Sequence, residues 1–292
     1  MKQFVLSAFA DEAGSEIETQ ISALERNHIG MIEIRNVGGS CILDLEREEI
    51  RRISALLVSH NIGVSAVASP IGKISVEDDF EAHKKRFAKA LDTAEILGTD
   101  CIRIFSFYIP KGKSPADYKD IVLRRLCELA DCAAKRCIYL CHENEKEIYG
   151  ERPEEVKILA DAIENEYFTT VFDPANYIQS GADPMDAYQM TKRRIRYFHM
   201  KDAEKESGAI VPVGFGNGEI RSILQDAADC EYILKPVCLT LEPHLAVFDG
   251  YQNLGDNTVL GTKRFHYKDS QESFDAACNA LKELLTKAEL SF

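Results

Sequence analysis

Four residues of metal-binding type stand at the ends of four apolar runs in this 292-residue chain. Ile138-Tyr139-Leu140-Cys141 leads into His142-Glu143-Asn144-Glu145, and Thr170-Val171-Phe172 into Asp173-Pro174-Ala175-Asn176. Ile195-Arg196-Tyr197-Phe198 leads into His199-Met200-Lys201-Asp202, and Leu239-Thr240-Leu241 into Glu242-Pro243-His244. If these ends converge, Glu143, Asp173, His199 and Glu242 present three carboxylates and one imidazole to a single point. That donor set suits one divalent cation in six-coordinate geometry, such as Mn²⁺, Co²⁺ or Mg²⁺, with Zn²⁺ as a further candidate. Four protein ligands leave two neighbouring positions, which fit adjacent oxygens of a hydroxy-ketone. A cation so placed polarises the carbonyl and steadies the enediolate formed when an α-proton leaves. One neighbouring carboxylate can take that proton and another can return it.

Each of these residues alone has a plainer role. Asp-Pro-Ala-Asn is a good turn and helix cap. His199 could be a satisfied buried histidine, and Glu143 a surface charge. Glu242 is harder to set aside, because the apolar run Val237–Leu241 before it should be buried. The repetition at four strand ends is what points to chemistry. Basic residues follow other apolar runs: Arg35 after Ile32-Glu33-Ile34, Lys73 after Ser69-Pro70-Ile71-Gly72, and Arg103 within Ile102–Phe105. They could bind an anionic or polyhydroxyl substrate, or form ion pairs within the fold. Glu33 and Arg35 share one strand face and could pair with neighbours. Lys201 and Asp202 could orient His199 or contact substrate, and His244 could support the site or belong to a loop. The amides of Gly214-Phe215-Gly216-Asn217-Gly218, ahead of a helix at Ile220–Ala228, could cradle a phosphate or form a tight helix-entry turn.

The elements that must carry these residues follow a rhythm. Eight β-rich runs are read at Phe4–Phe9, Met31–Ile34, Val64–Ala68, Cys101–Phe105, Ile138–Cys141, Thr169–Phe172, Ile195–His199 and Cys238–Leu241. Most are spaced by roughly 30–40 residues, the size of a βα unit. Helical stripes lie between them: Phe80, Phe87, Leu91, Ala94 and Leu97; Ile121, Leu126, Leu129 and Ala133; and Phe274, Ala277, Leu281, Leu284 and Ala288, opened by Ser270. Near-continuous apolar strands suit a parallel sheet covered on both faces. Eight such units predict a (β/α)₈ TIM barrel over residues 1–292, as a single domain of the α/β class. The first turn, Ala8–Gly14, is not the GxGxxG of a dinucleotide-binding sheet. The irregular stretches Asp202–Gly218 and Ala246–Lys268 are expected over the active face.

Composition excludes several other classes. Lys+Arg total 35 against Asp+Glu 48, a formal net charge of −13, and the hydrophobic fraction is 45%. Such a chain has ample apolar material to fold, and its acidity argues against a nucleic-acid partner. No apolar run approaches the ~20 residues of a membrane-spanning helix, and the N-terminus does not read as a signal peptide. Nine cysteines, without a CxxC pair, suggest reduced thiols in the cytoplasm acting as small apolar groups. The cluster at 127, 132, 137 and 141 lacks zinc-ligand spacing. A homo-oligomer is left open.

Taken together, the motifs His142–Glu145, Phe172–Asn176, Tyr197–Asp202, Val213–Gly218 and Leu241–His244 resemble the sugar phosphate isomerase/epimerase family. This family lies in the xylose isomerase-like TIM-barrel superfamily, with ketose 3-epimerases, inosose isomerases and dehydratases, hydroxypyruvate isomerases and endonuclease IV. The resemblance runs over essentially the whole chain. It implies Glu143, Asp173, His199 and Glu242 as metal ligands, with Glu143 and Glu242 also the acid/base pair. It implies a sugar or polyol substrate, free or phosphorylated, for an isomerase or epimerase, or an inosose-type dehydratase. The epimerase branch often has His three residues after the metal-binding Asp, where this chain has Asn176, so a substrate or second-metal contact is altered. That position, together with Val67-Ala68-Ser69-Pro70 lacking a histidine, disfavours the trinuclear site of an abasic-site endonuclease.

Overall fold

The computed structural model describes residues 3–246 and 265–292. Eight parallel strands close into a barrel: β1 (Phe4–Ala8), β2 (Met31–Ile34), β3 (Gly63–Ala68), β4 (Cys101–Ile104), β5 (Tyr139–Glu143), β6 (Phe168–Phe172), β7 (Ile195–Met200) and β8 (Val237–Leu241). Neighbours pair in sequence order, and β1 pairs with β8 to complete the ring. The expected strands are all present, within two residues at the ends. The strand carrying Glu143 runs further than the apolar run indicated, so this glutamate sits on β5 itself.

Nine helices surround the ring or lie on its loops: α1 (Ile17–Arg26), α2 (Arg47–Ser59), α3 (Phe80–Leu97), α4 (Lys119–Ala134), α5 (Pro153–Ala162), α6 (Pro174–Gln179), α7 (Pro184–Thr191), α8 (Ile220–Asp229) and α9 (Ser270–Lys287), among the described residues. Local chemistry sets their ends. The Asp79 side chain accepts from the Glu81 and Ala82 amides at the start of α3, and Gly98, with φ +71°, ends it. For α9 the cap is Asp269 rather than Ser270, which is its first residue. Phe87, Leu91, Ala94 and Leu97 of α3 and Leu126, Leu129 and Ala133 of α4 are buried against the barrel. Burying each large side chain contributes about 1.5–3 kcal/mol.

Alternation along the strands divides the barrel. One face of each strand joins the large core beneath the helices. The other lines the barrel, where Ala66, Cys101, Cys141, Val171 and Tyr197 form a separate small cluster. Two residues further along β4, β5, β6 and β7 stand Arg103, Glu143, Asp173 and His199. The interior is thus apolar low in the barrel and charged toward the C-terminal mouth.

The expected loop at Asp202–Gly218 contains a two-stranded ribbon, Asp202–Ala203 with Ile210–Val211. A second ribbon joins Asn36–Val37 to Ser40–Cys41. Most of the other expected long loop, residues 247–264, lies outside the described residues. No described helix is long and apolar enough to cross a membrane. All nine cysteines are free thiols.

Candidate metal and substrate site

The strand ends bring Glu143, Asp173, His199 and Glu242 together. One ligand-type atom from each lies within 4.8 Å of all the others, and all four residues are buried. His199 Nδ1 is 2.9 Å from Glu143 Oε1 and 3.6 Å from Glu242 Oε2. Lys201, two residues after His199 and just past the end of β7, places Nζ 2.8 Å from Asp173 Oδ2 and 3.0 Å from Glu242 Oε2.

Asp173 fulfils both readings of its motif. Its Oδ1 accepts from the Asn176 amide at 3.0 Å and caps α6, while Oδ2 faces the cluster. Buried Oδ2 accepts no well-directed hydrogen bond despite its ion pair with Lys201. Burial pushes the Asp173 carboxyl up to about 7 against the pull of Lys201. Glu242 goes the other way. Burial alone would raise it, but Lys201, His244, His199 and Arg35 outweigh burial and hold it well below the usual carboxylate range.

Beneath the cluster lies Glu33, a residue that the sequence indicated only as a pairing partner. Its carboxylate is 3.2 and 3.3 Å from His199 Nε2 and accepts from the Tyr197 hydroxyl at 2.8 Å. Burial opposes a charged imidazole, yet Glu143 and Glu33 on its two sides raise the His199 pKa well above the ordinary value. A carboxylate behind the distal nitrogen is the usual way to fix the tautomer of a ligating histidine. These features test the fit of a divalent cation. Three carboxylates surround one imidazole nitrogen, one carboxylate oxygen lacks a directed donor, and the far imidazole nitrogen is held from behind. The set fits a hard or borderline divalent ion.

A second triplet, Glu12, Glu242 and His244, also clusters. Its positive charge is already supplied. Arg35 reaches Asp11 at 3.0 and 3.1 Å, Glu12 at 3.3 Å and Glu242 at 3.3 Å. Burial nevertheless pushes Glu12 up to about 8, and burial keeps His244 neutral, well below the usual imidazole range. Asp11 and Glu12 were not singled out in the sequence, because nothing about Ala10-Asp11-Glu12-Ala13 separates them from ordinary turn acids.

Arg35, Lys73, Arg103, Asn176, Lys201 and His244, the residues expected to contact substrate, all line one cavity of about 630 Å³ with Glu143 and Glu242. Asn176 donates to the Asn144 carbonyl at 2.8 Å and approaches Glu143 at 3.4 Å. Asn144 in turn exchanges 3.0 Å bonds with the backbone of Asp173. These two amides lock the ends of β5 and β6 together. His142 alternates away from the mouth; its Nε2 lies 2.9 Å from Ser106 Oγ, and burial pushes it down to about 3.

The glycine-rich run does not offer its amides to a ligand. Gly214, Gly216 and Gly218 donate to the Asp202 carboxylate at 2.9, 3.0 and 2.8 Å. A Cβ at Gly216 would lie 2.3 Å from Asp202 Oδ1. The possible phosphate cradle is therefore a loop closed on its own aspartate, and Asp202 turns away from the cavity that Lys201 enters.

An eight-stranded parallel barrel with a carboxylate–histidine cluster at its C-terminal mouth defines a class of TIM barrel. The chain belongs to the xylose isomerase-like TIM barrel family, whose model matches residues 25–237. Among solved structures it is similar to the probable 3-DHS dehydratase AsbF from Bacillus anthracis, at 17% identity. That match covers 97% of this chain and 99% of that one, with a TM-score of 0.71. It is similar to the IOLI protein with a bound zinc atom (13%, covering 97% and 99%, TM-score 0.72). It also resembles an L-ribulose 3-epimerase (15%, covering 99% and 96%, TM-score 0.71). At these identities the likeness is one of fold. No curated protein matches the chain significantly.

Proposed function

We propose that the protein is a divalent-metal-dependent isomerase or epimerase of a sugar or polyol, working by proton abstraction beside a polarised carbonyl. The observation that carries this reading is the convergence of Glu143, Asp173, His199 and Glu242 donors within 4.8 Å. These four residues would hold the ion, which when bound supplies Lewis acidity to a substrate carbonyl and makes the neighbouring C–H acidic. Glu143 and Glu242 line the cavity and are the pair assigned to proton transfer. Glu242 is kept ionised by the cations around it and so is present as a carboxylate. Glu33 holds His199 from behind, and Asn176 steadies Glu143. Lys201 bridges Asp173 and Glu242 and can donate a hydrogen bond to a substrate oxygen. A cytoplasmic setting accords with nine free thiols.

A second reading, loss of water from a keto-polyol, uses the same proton abstraction. It is favoured by Lys201, whose ammonium stands 3.0 Å from Glu242 and could protonate a departing hydroxyl. Mn²⁺-loaded protein incubated with a ketose and inosose panel in D₂O separates the two readings. Isomerisation leaves the product at substrate mass apart from one exchanged deuteron, whereas dehydration yields a product lighter by water. A Glu242→Gln variant that keeps full Mn²⁺ content would remove Glu242 from the ligand set, and wild-type protein that binds no divalent ion would end the proposal.

A further inference from the structure

The cations of the cavity differ in how far the protein already satisfies them. Arg35 contacts three carboxylates, and Lys201 is held between Asp173 and Glu242. Arg103 is different. It is 6% exposed, yet its guanidinium donates no well-directed hydrogen bond to any described residue. Its one ion pair is a 3.4 Å approach of Nε to Glu143, and Glu143 is one of the residues assigned to the metal. The guanidinium lies over the Phe105 ring, with Cζ 4.4 Å from the centroid. Lys73 Nζ lies 4.3 Å from the centroid of the same ring. Lys73 has a single 3.3 Å bond to Glu145, which leaves two of its three donors for another acceptor.

This arrangement is built rather than incidental. Phe105 N donates to the Ile71 carbonyl at 2.8 Å and Phe107 N to the Gly72 carbonyl at 3.0 Å. The loop bearing Lys73 is thereby stitched to the strand extension bearing Phe105. Gly72 sits at φ +88°, and a Cβ there would lie 2.1 Å from the Phe105 carbonyl oxygen. A buried Nε–H without a directed acceptor is costly, and the planar guanidinium fork matches a carboxylate or phosphate better than a single hydroxyl.

We infer that the substrate carries an anionic group, a carboxylate or a phosphate, held by Arg103 and Lys73 across the Phe105 ring and next to the metal cluster. The inference rests on the metal-dependent sugar or polyol reading and narrows its substrate class to polyhydroxy anions.

The test compares three matched probes, D-glucitol, D-gluconate and D-glucitol 6-phosphate, by calorimetric titration of the Mn²⁺-loaded protein at low salt. At least one anion should bind ten-fold or more tighter than glucitol, with an advantage that shrinks as salt is added. Preference for gluconate or for the phosphate tells which anion the subsite takes. Arg103→Met should abolish the advantage, so that no anion binds this variant appreciably tighter than glucitol binds the same variant. Lys73→Met, at a more exposed position, should reduce it several-fold and provides an answer if the arginine variant does not fold. No anion advantage in the wild type, whether all probes bind equally or none binds, overturns the inference. An advantage that survives in both variants does so too, because it then comes from chelation by the probe. Manganese content measured on the same samples keeps the two proposals apart: protein without metal defeats the enzymatic reading, whereas loaded protein indifferent to charge defeats only this one.

Discussion

The two halves of the barrel mouth are chemically unlike. The ends of β5 to β8 contribute Glu143, Asp173, His199 and Glu242, which converge on one point. The ends of β2 to β4 contribute Arg35, Lys73 and Arg103, spread along the cavity wall. In the first set every donor faces the others, so the group is stable only with positive charge among its members. In the second set each cation meets its own surroundings: carboxylates around Arg35, an aromatic ring under Lys73 and Arg103. On the proposed reading, reactivity belongs to one half and recognition to the other, with Glu33 as the crossing point, since it rises from β2 but grips His199 of β7.

The sharpest way to break this division is to remove a donor from the converging half. Asp173→Ala should weaken Mn²⁺ binding on the order of 100-fold or more, judged against the 10–100-fold typical of supporting residues. Calorimetric titration or bound-metal analysis reads this directly, and undiminished affinity would take Asp173 out of the set. The crossing point comes next. Glu33→Ala should weaken Mn²⁺ binding by about 10–100-fold although Glu33 is not assigned to the metal, and Glu33→Gln, which retains an acceptor, by less.

The recognition half is probed through its scaffold. Gly72→Ala forces a Cβ against the Phe105 carbonyl at positive φ and should cost about 3 kcal/mol of stability in urea denaturation. Metal affinity of the folded variant should stay near wild type. The smallest effect is a pH dependence. His83 Nε2 accepts from the Gly72 amide at 2.9 Å, and burial lowers its pKa from 6.5 to about 4. The unfolded chain binds this proton first. The contribution of His83 is therefore complete above about pH 6.5 and is lost as pH falls toward 4. The stability difference between wild type and His83→Gln should shrink across that window, as followed by denaturation at a series of pH values.

Much of this was legible in the sequence, for identifiable reasons. The eight strands announced themselves because both faces are buried, which leaves nearly unbroken apolar runs such as Cys101–Ile104. The four converging residues were visible because each terminates such a run. Asp11 and Glu12 were not, and Glu33 showed only as a pairing partner, because their roles depend on residues more than twenty positions away and on which strands face one another across the ring. Asn144 was hidden for another reason. Next to a glutamate at a strand end it reads as a loop residue, and only the pairing of β5 with β6 shows it bonded to both backbone groups of Asp173. The glycine run left two readings open, a phosphate cradle and a tight turn, because backbone amides alone do not name the anion they bind.

That last point has a chemical consequence. The anion drawn to those amides is covalently part of the chain, so its local concentration is on the order of millimolar or above without any solute being present. A dissolved phosphate must outcompete a tethered rival that already fills the amide nest, and raising phosphate in the medium should leave the 214–218 turn as it is.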